Sequence, residues 1–208
     1  MERETCGWRF PGSARGDVMR GWVGWATCPK PAVPRYPRPL MSDAVHRPRF
    51  LCDAMLGSLA RWLRFCGYDC LYLGTEPEDA ELARIAAAED RWLLTRDHEL
   101  AAAGPKTQMV RAGILEAQLA EVFNRHGLPE PEDLDDSRCG ECNGVLEEVS
   151  AGEVEAVVPP YVLSTAERFR RCVGCGRIYW PGTHGEQIHV RFARVRQLMT
   201  DPGERGGT

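Results

Sequence analysis

Phe50-Leu51-Cys52-Asp53-Ala54-Met55-Leu56-Gly57-Ser58-Leu59-Ala60-Arg61-Trp62-Leu63-Arg64 decides the fold class. Its first three residues are a short apolar run, read as a buried strand. Leu56, Leu59, Ala60 and Leu63 then recur at i, i+3, i+4 and i+7, the spacing of one helix face, and Gly67 follows as a stop signal. The alternation continues downstream. Cys70-Leu71-Tyr72-Leu73 reads as a second strand, and Leu82, Ile85 and Ala86 mark a second helix. Trp92-Leu93-Leu94-Thr95 is a third strand, and Met109-Val110 a short fourth. Leu115, Leu119, Val122 and Phe123 share the face of another helix. Strands alternating with helices predict an α/β fold, with a mainly parallel sheet and helices on both faces.

The flanks read differently. Residues 1–48 hold prolines, glycines and scattered Trp and Arg without a sustained period, and Pro29 to Pro39 excludes helix or central strand. The expectation is a disordered or mis-annotated N-terminal extension. Met41-Ser42-Asp43 offers an alternative start just before the ordered core. Residues 128–137 form an acidic, proline-bearing linker. After it come Cys139-Gly140-Glu141-Cys142 and Cys172-Val173-Gly174-Cys175, separated by 29 residues. Two Cys-x-x-Cys knuckles supply the four thiolates that a tetrahedral Zn2+ needs. A redox dithiol would want one reactive pair, and two pairs argue against it. Between the knuckles the pattern predicts a short helix from Ser164 or Thr165 through Phe169. A last helix is expected around Ile188, Phe192, Val195 and Met199. The domain reading is therefore 49–137 for the α/β domain, 138–190 for the zinc module and 191–208 for a C-terminal helix and tail.

The net charge of −4 is unevenly spread. Residues 1–49 carry a net +5, residues 50–137 a net −9, and residues 138–208 a net 0. An acidic middle does not favour simple electrostatic capture of nucleic acid, but it suits a carboxylate metal site. No stretch is long and apolar enough for a membrane span, and no secretory h-region is visible. Cysteines held on metal suit a reducing cytoplasm.

Sites in open parallel sheets form beyond the carboxyl ends of the strands. Asp53 follows the first strand, Asp97 the third, and Asp79 stands before the second helix. Converging carboxylates need a cation between them, and hard oxygen ligands favour Mg2+ or Mn2+. The competing reading of each aspartate is a helix N-cap. Arg61, Arg64 and Arg96 are the cations placed to meet phosphate, Arg61 and Arg64 at i, i+3 on one helix. Their alternative is pairing with the domain's own carboxylates. Arg168, Arg170, Arg171 and Arg177 crowd the second knuckle, as an RNA-docking face or as plain solvated surface. His184 and His189 are spare ligands beside a complete cysteine set. Cys6, Cys28, Cys52, Cys66 and Cys70 follow no ligand pattern.

These segments together resemble the Mut-seven C-terminal RNase family. The likeness is carried by Phe50 to Arg64, Gly67-Tyr68-Asp69, Asp79-Ala80-Glu81-Leu82, Ala87 to Arg91 and Leu94-Thr95-Arg96-Asp97. It continues through Arg138-Cys139-Gly140-Glu141-Cys142-Asn143, the second knuckle and Tyr179-Trp180-Pro181-Gly182-Thr183-His184. The resemblance implies a PIN-like nuclease domain followed by a zinc ribbon. It implies a metal-dependent endoribonuclease acting on RNA, with Asp53, Asp79 and Asp97 as the metal-binding acids. PIN-type sites often carry a fourth acid, for which Glu81, Glu89 and Glu99 are candidates. The rival expectation is a non-catalytic RNA- or protein-binding module that keeps the fold.

Overall fold

Each strand of the first sheet is too short to hold a register alone, so burial on both faces must fix it. In a computed structural model, which describes residues 47–75, 77–131, 134–181 and 185–200, β1 (Phe50–Cys52), β2 (Cys70–Tyr72), β3 (Trp92–Thr95) and β4 (Thr107–Met109) form a parallel sheet in the order β2-β1-β3-β4. The described residues all belong to a single compact unit. The expectations for residues 1–46, including the alternative start, lie outside the described residues, as does His184.

Alternation along the strands divides the core in two. Phe50, Cys52 and Leu94 point to one face, where they meet α1 (Gly57–Phe65) through Leu59 and Leu63, and α4 (Leu115–His126) through Leu119, Val122 and Phe123. Leu51 and Leu93 point to the other face, against Leu82 and Ala86 of α2 (Asp79–Ala88) and Leu100 of α3 (His98–Ala101). The expected α/β class, with helices on both faces, is what forms. Gly67 ends α1 at φ +86°, a conformation that only glycine adopts freely.

The amino edge of this sheet is closed by an ion-pair network. Asp69 accepts from Arg91 at 2.7 Å, from Arg49 at 3.1 Å and from the Asn143 side-chain amide at 2.7 Å. Arg91 is itself buried and also donates to the Phe50 carbonyl and to Glu89. Burial alone would raise the Asp69 pKa. Hydrogen bonds and charge from Arg91, aided by Asn143 and Arg138, outweigh it and hold the group at about 2.

The knuckle segment builds a second, antiparallel sheet, β5-β6-β7, from Leu146–Val149, Phe169–Cys172 and Ile178–Tyr179. Two short helices lie between its strands, α5 (Ala151–Val154) and α6 (Pro160–Thr165). The helix expected at 164–169 is thus displaced. Pro160 at the first helical turn starts it early, because proline's fixed φ and missing N–H cost nothing there. Ala166 then turns extended, and Phe169 enters a strand to pack against Val154, Val158 and Val162.

The first knuckle docks on α1. Arg64 is 5% exposed; its Nε donates to the Cys70 carbonyl at 2.8 Å, and its Nη1 to the Gly140 and Glu141 carbonyls at 2.9 and 3.1 Å. Asn143, held at φ +65°, accepts from the Cys70 amide. The chain then returns: α7 (Gly185–Thr200) places Phe192, Val195 and Leu198 beside Trp62 and α4. The boundary expected at 190/191 therefore falls inside one helix, whose apolar face completes the α/β core.

The difference between the two arginines of α1 can be measured. Arg64→Met leaves three carbonyls without their charged donor and should cost about 2–4 kcal/mol in chemical denaturation. Arg61→Met, which removes only a half-exposed pair with Glu141, should cost less than about 1 kcal/mol. Equal losses would contradict the assignment. For Asp69, the lowered folded pKa favours the ionised form. Its contribution is complete above the unfolded value of about 3.9 and is lost as pH falls through about 2. The gap in Tm between wild type and Asp69→Asn should therefore narrow from about pH 4 downward. A gap that stays constant with pH would refute this.

Candidate functional site

Asp53 leaves β1 at the carboxyl edge and caps the single 3-10 turn Ala54–Leu56. It is buried, and both carboxylate oxygens are occupied. Oδ1 accepts from the Met55 amide at 2.8 Å. Oδ2 accepts from the Thr95 hydroxyl and from the Arg96 amide, the latter at 3.1 Å. Thr95 ends β3, the strand hydrogen-bonded to β1. Its hydroxyl oxygen in turn accepts from the Asp97 amide at 2.9 Å. One hydroxyl thus joins the ends of two neighbouring strands. The sequence pattern did not single out Thr95, though its place in Leu94-Thr95-Arg96-Asp97 was the available signal.

Asp97 is exposed and caps α3. Its Oδ1 accepts from the Glu99 and Leu100 amides at 2.7 and 2.9 Å, while Oδ2 has no partner among the described residues. The Leu100 amide, then that of Glu99, lowers its pKa. Both readings of these aspartates, N-cap and strand-end acid, therefore describe the same side chains. Asp79 sits on the first turn of α2, with Glu78 as the N-cap, and is exposed. Its carboxylate has no hydrogen bond or ion pair among the described residues.

The three aspartates are not gathered as one ion's ligands. Among the described residues, the only group of three or more His, Cys, Asp or Glu whose ligand atoms lie within 4.8 Å of one another is the cysteine set. As hard oxygen donors they match Mg2+ or Mn2+ in chemistry, and Mg2+ usually keeps several waters between itself and protein. The three acids considered as a fourth member separate clearly. Glu89 lies at the amino edge on Arg91 and Arg49. Glu81 is bound bidentately by Arg84. Glu99 is in the first turn of α3, beside Asp97.

The three arginines also diverge. Arg64 is turned inward onto backbone carbonyls, and not onto a carboxylate as its alternative reading had it. Arg61 is half-exposed and bonded to Glu141 at 2.6 Å. Arg96 is partly exposed next to Asp97, and its guanidinium has no partner among the described residues.

Cys139, Cys142, Cys172 and Cys175 converge as their spacing predicts. The Sγ atoms of Cys139 and Cys175 are 3.6 Å apart, and those of Cys142 and Cys172 3.4 Å. A tetrahedron with Zn–S near 2.3 Å has sulfurs about 3.8 Å apart. A Cβ on Gly144 would stand 2.7 Å from Cys172 Sγ, so glycine is needed for this approach. The Tyr179 hydroxyl lies 3.1 Å from Cys139 Sγ. Burial raises the Cys139 pKa, but Tyr179 and the amides of Cys142 and Glu141 overcome that and bring it to about 7. These groups favour a thiolate, the form that ligates metal. The four sulfurs can hold a zinc ion. Cys52 and Cys70 are core residues instead, and burial pushes the Cys66 thiol up to about 12. His189 is exposed.

No helix among the described residues is long and apolar enough to cross a membrane. Comparison with family models aligns residues 48–192 with the Mut7-C RNAse domain. No curated protein and no solved structure matches the chain.

Proposed function

This chain belongs to the Mut7-C RNAse domain family, and from that premise we propose that it is a PIN-like, metal-dependent endoribonuclease of the cytoplasm with a structural zinc ribbon. The observation that carries this reading is the Asp53–Thr95–Asp97 connection at the carboxyl edge of the sheet. Asp53, Asp79 and Asp97 are the residues that would hold Mg2+ or Mn2+. Such an ion activates water and neutralises charge building on a phosphodiester.

The chain's own residues supply the framework. Asp53 is fixed by two amides and a hydroxyl, so its negative charge is held at the mouth of β1. Asp97 keeps one oxygen toward solvent while two amides orient the other. Arg96 offers an uncommitted guanidinium beside it, suited to a phosphate. Phosphate contacts of this kind position RNA without reading its sequence. Cys139, Cys142, Cys172 and Cys175 would bind Zn2+ as a closed site, which leaves no open position for chemistry.

A second reading, a non-catalytic RNA- or protein-binding module, draws on two observations: both Asp53 oxygens are already committed, and the three acids are not gathered. Cleavage of end-labelled RNA separates the two. With Mn2+ the wild type should cut, and Asp97→Asn should lose on the order of 10²–10³ in rate, the scale of one electrostatic catalytic group. Asparagine caps helices as well as aspartate does, so the variant's Tm should change little. Cleavage that survives both Asp97→Asn and chelation of Mn2+, with zinc still bound, would refute the mechanism. No cleavage and no rise in wild-type Tm with millimolar Mn2+ would favour the binding module.

Metal analysis of protein purified without added metal should find zinc at one ion per four-cysteine set. Cys172→Ser should lose it and melt earlier. Retention of zinc in that variant would refute the ribbon assignment.

A further inference from the structure

A groove of about 580 Å3 runs along α1. At one end it is lined by Gly57, Ser58 and Tyr72, and at the other by Gly140 and Glu141 of the first knuckle. Arg61, Trp62, Leu115 and Arg191 line its length. The first end abuts the candidate site, since the Tyr72 hydroxyl donates to the carbonyl of Ala54, the residue after Asp53. The groove thus leads from the carboxyl edge of the sheet toward the cysteine cluster.

Its two accessible cations are held without being used up. Arg61 gives one hydrogen bond, from Nη2 to Glu141 at 2.6 Å. Arg191 gives one, from Nε to Glu116 at 2.6 Å, and its guanidinium lies over the Trp62 ring at 4.7 Å. Their remaining N–H donors have no acceptor among the described residues, although a guanidinium presents a whole fork of them. Arg64, also at the groove wall, is different: it is buried, and its Nε and Nη1 donate to carbonyls. A single carboxylate orients each guanidinium, and in-plane N–H donors are left for a further acceptor. That is the geometry in which arginine takes phosphate.

We propose that this groove seats the phosphodiester backbone of a single RNA strand, with Arg61 and Arg191 binding its phosphates. The proposal rests on the ribonuclease reading and gives the substrate its path into that site. The space is of ligand-pocket size, so it takes a nucleotide-sized stretch of one strand and not the girth of a duplex. Arg191 lies on α7, far along the chain from α1, and becomes part of the groove only because α7 folds back on the α/β core.

The test is fluorescence anisotropy of a short labelled single-stranded RNA, over a range of KCl, without added divalent ion. Arg61→Gln and Arg191→Gln should each weaken binding several-fold and lower the salt slope by about 0.7, the step for one fewer neutralised phosphate on a single strand. Arg84→Gln, on α2 and away from the groove, should change neither. Glu116→Gln should tighten binding by removing a competing acceptor, and Glu81→Gln, which removes the same charge elsewhere, should not. Arg191→Lys keeps the charge and should keep the slope; it guards against a folding defect, which thermal melts also monitor. Wild-type affinity and slope in both glutamine variants would overturn the proposal, as would absence of RNA binding by the wild type. Cleavage with Mn2+ is read on the same proteins. If the wild type cuts RNA and both glutamine variants bind normally, the groove fails and the ribonuclease reading stands. If the wild type does not cut but its RNA binding is weakened by Arg61→Gln and Arg191→Gln, the groove stands and the ribonuclease reading fails.

Discussion

The Asp69 carboxylate is the junction on which the architecture turns. It precedes β2, binds the buried Arg91 that precedes β3 and the Arg49 that precedes β1, and takes the Asn143 amide from the first knuckle. Three parallel strands and the cysteine segment are therefore referred to one anion. A carboxylate drawn partly out of water needs hydrogen bonds and matching charge, and here the match is strong enough to hold the half-buried Asp69 ionised to about pH 2. With the amino edge closed in this way, the carboxyl edge is left for chemistry.

The two halves of the molecule are mechanically continuous through this junction and its neighbour. Arg64 carries hydrogen bonds from the last turn of α1 to the carbonyls of Gly140 and Glu141, and the Arg138 amide donates back to the Arg64 carbonyl at 2.8 Å. Ordering of the four sulfurs therefore stiffens the same knuckle that holds α1. The start of that helix lies one turn beyond Asp53. This gives the cysteine cluster a structural consequence at the candidate site without placing any reaction on it.

Much of the site was legible in the sequence because it depends on local pattern. The strand-to-helix changes at Asp53 and Asp97 placed both residues at the carboxyl edge, where the fold puts them. The Cys-x-x-Cys spacing located four sulfurs that do converge. Less legible were Arg61 and Arg64. Their i, i+3 spacing suggested one shared role, yet Arg61 stands half in solvent and Arg64 is buried. Helical spacing gives relative direction only; which carbonyls wait at the end of each side chain is set by what packs there. The misplaced helix between the knuckles has a similar origin. Phe169 fits a helical face or a strand equally well, and the apolar cluster of Val154, Val158 and Val162 selects the strand.

The sequence by itself determined the α/β order of elements, the apolar faces, the cysteine set and the aspartates at the strand ends. These follow from period, composition and spacing, which act over a few residues. Tertiary structure alone decided that Thr95 would bridge Asp53 and Asp97, that Asp69 would collect three strands and a knuckle, and that α7 would return Arg191 to the face of α1. Each joins residues distant along the chain. Such pairings are fixed by closing the core and satisfying its buried polar groups, and no local pattern records them.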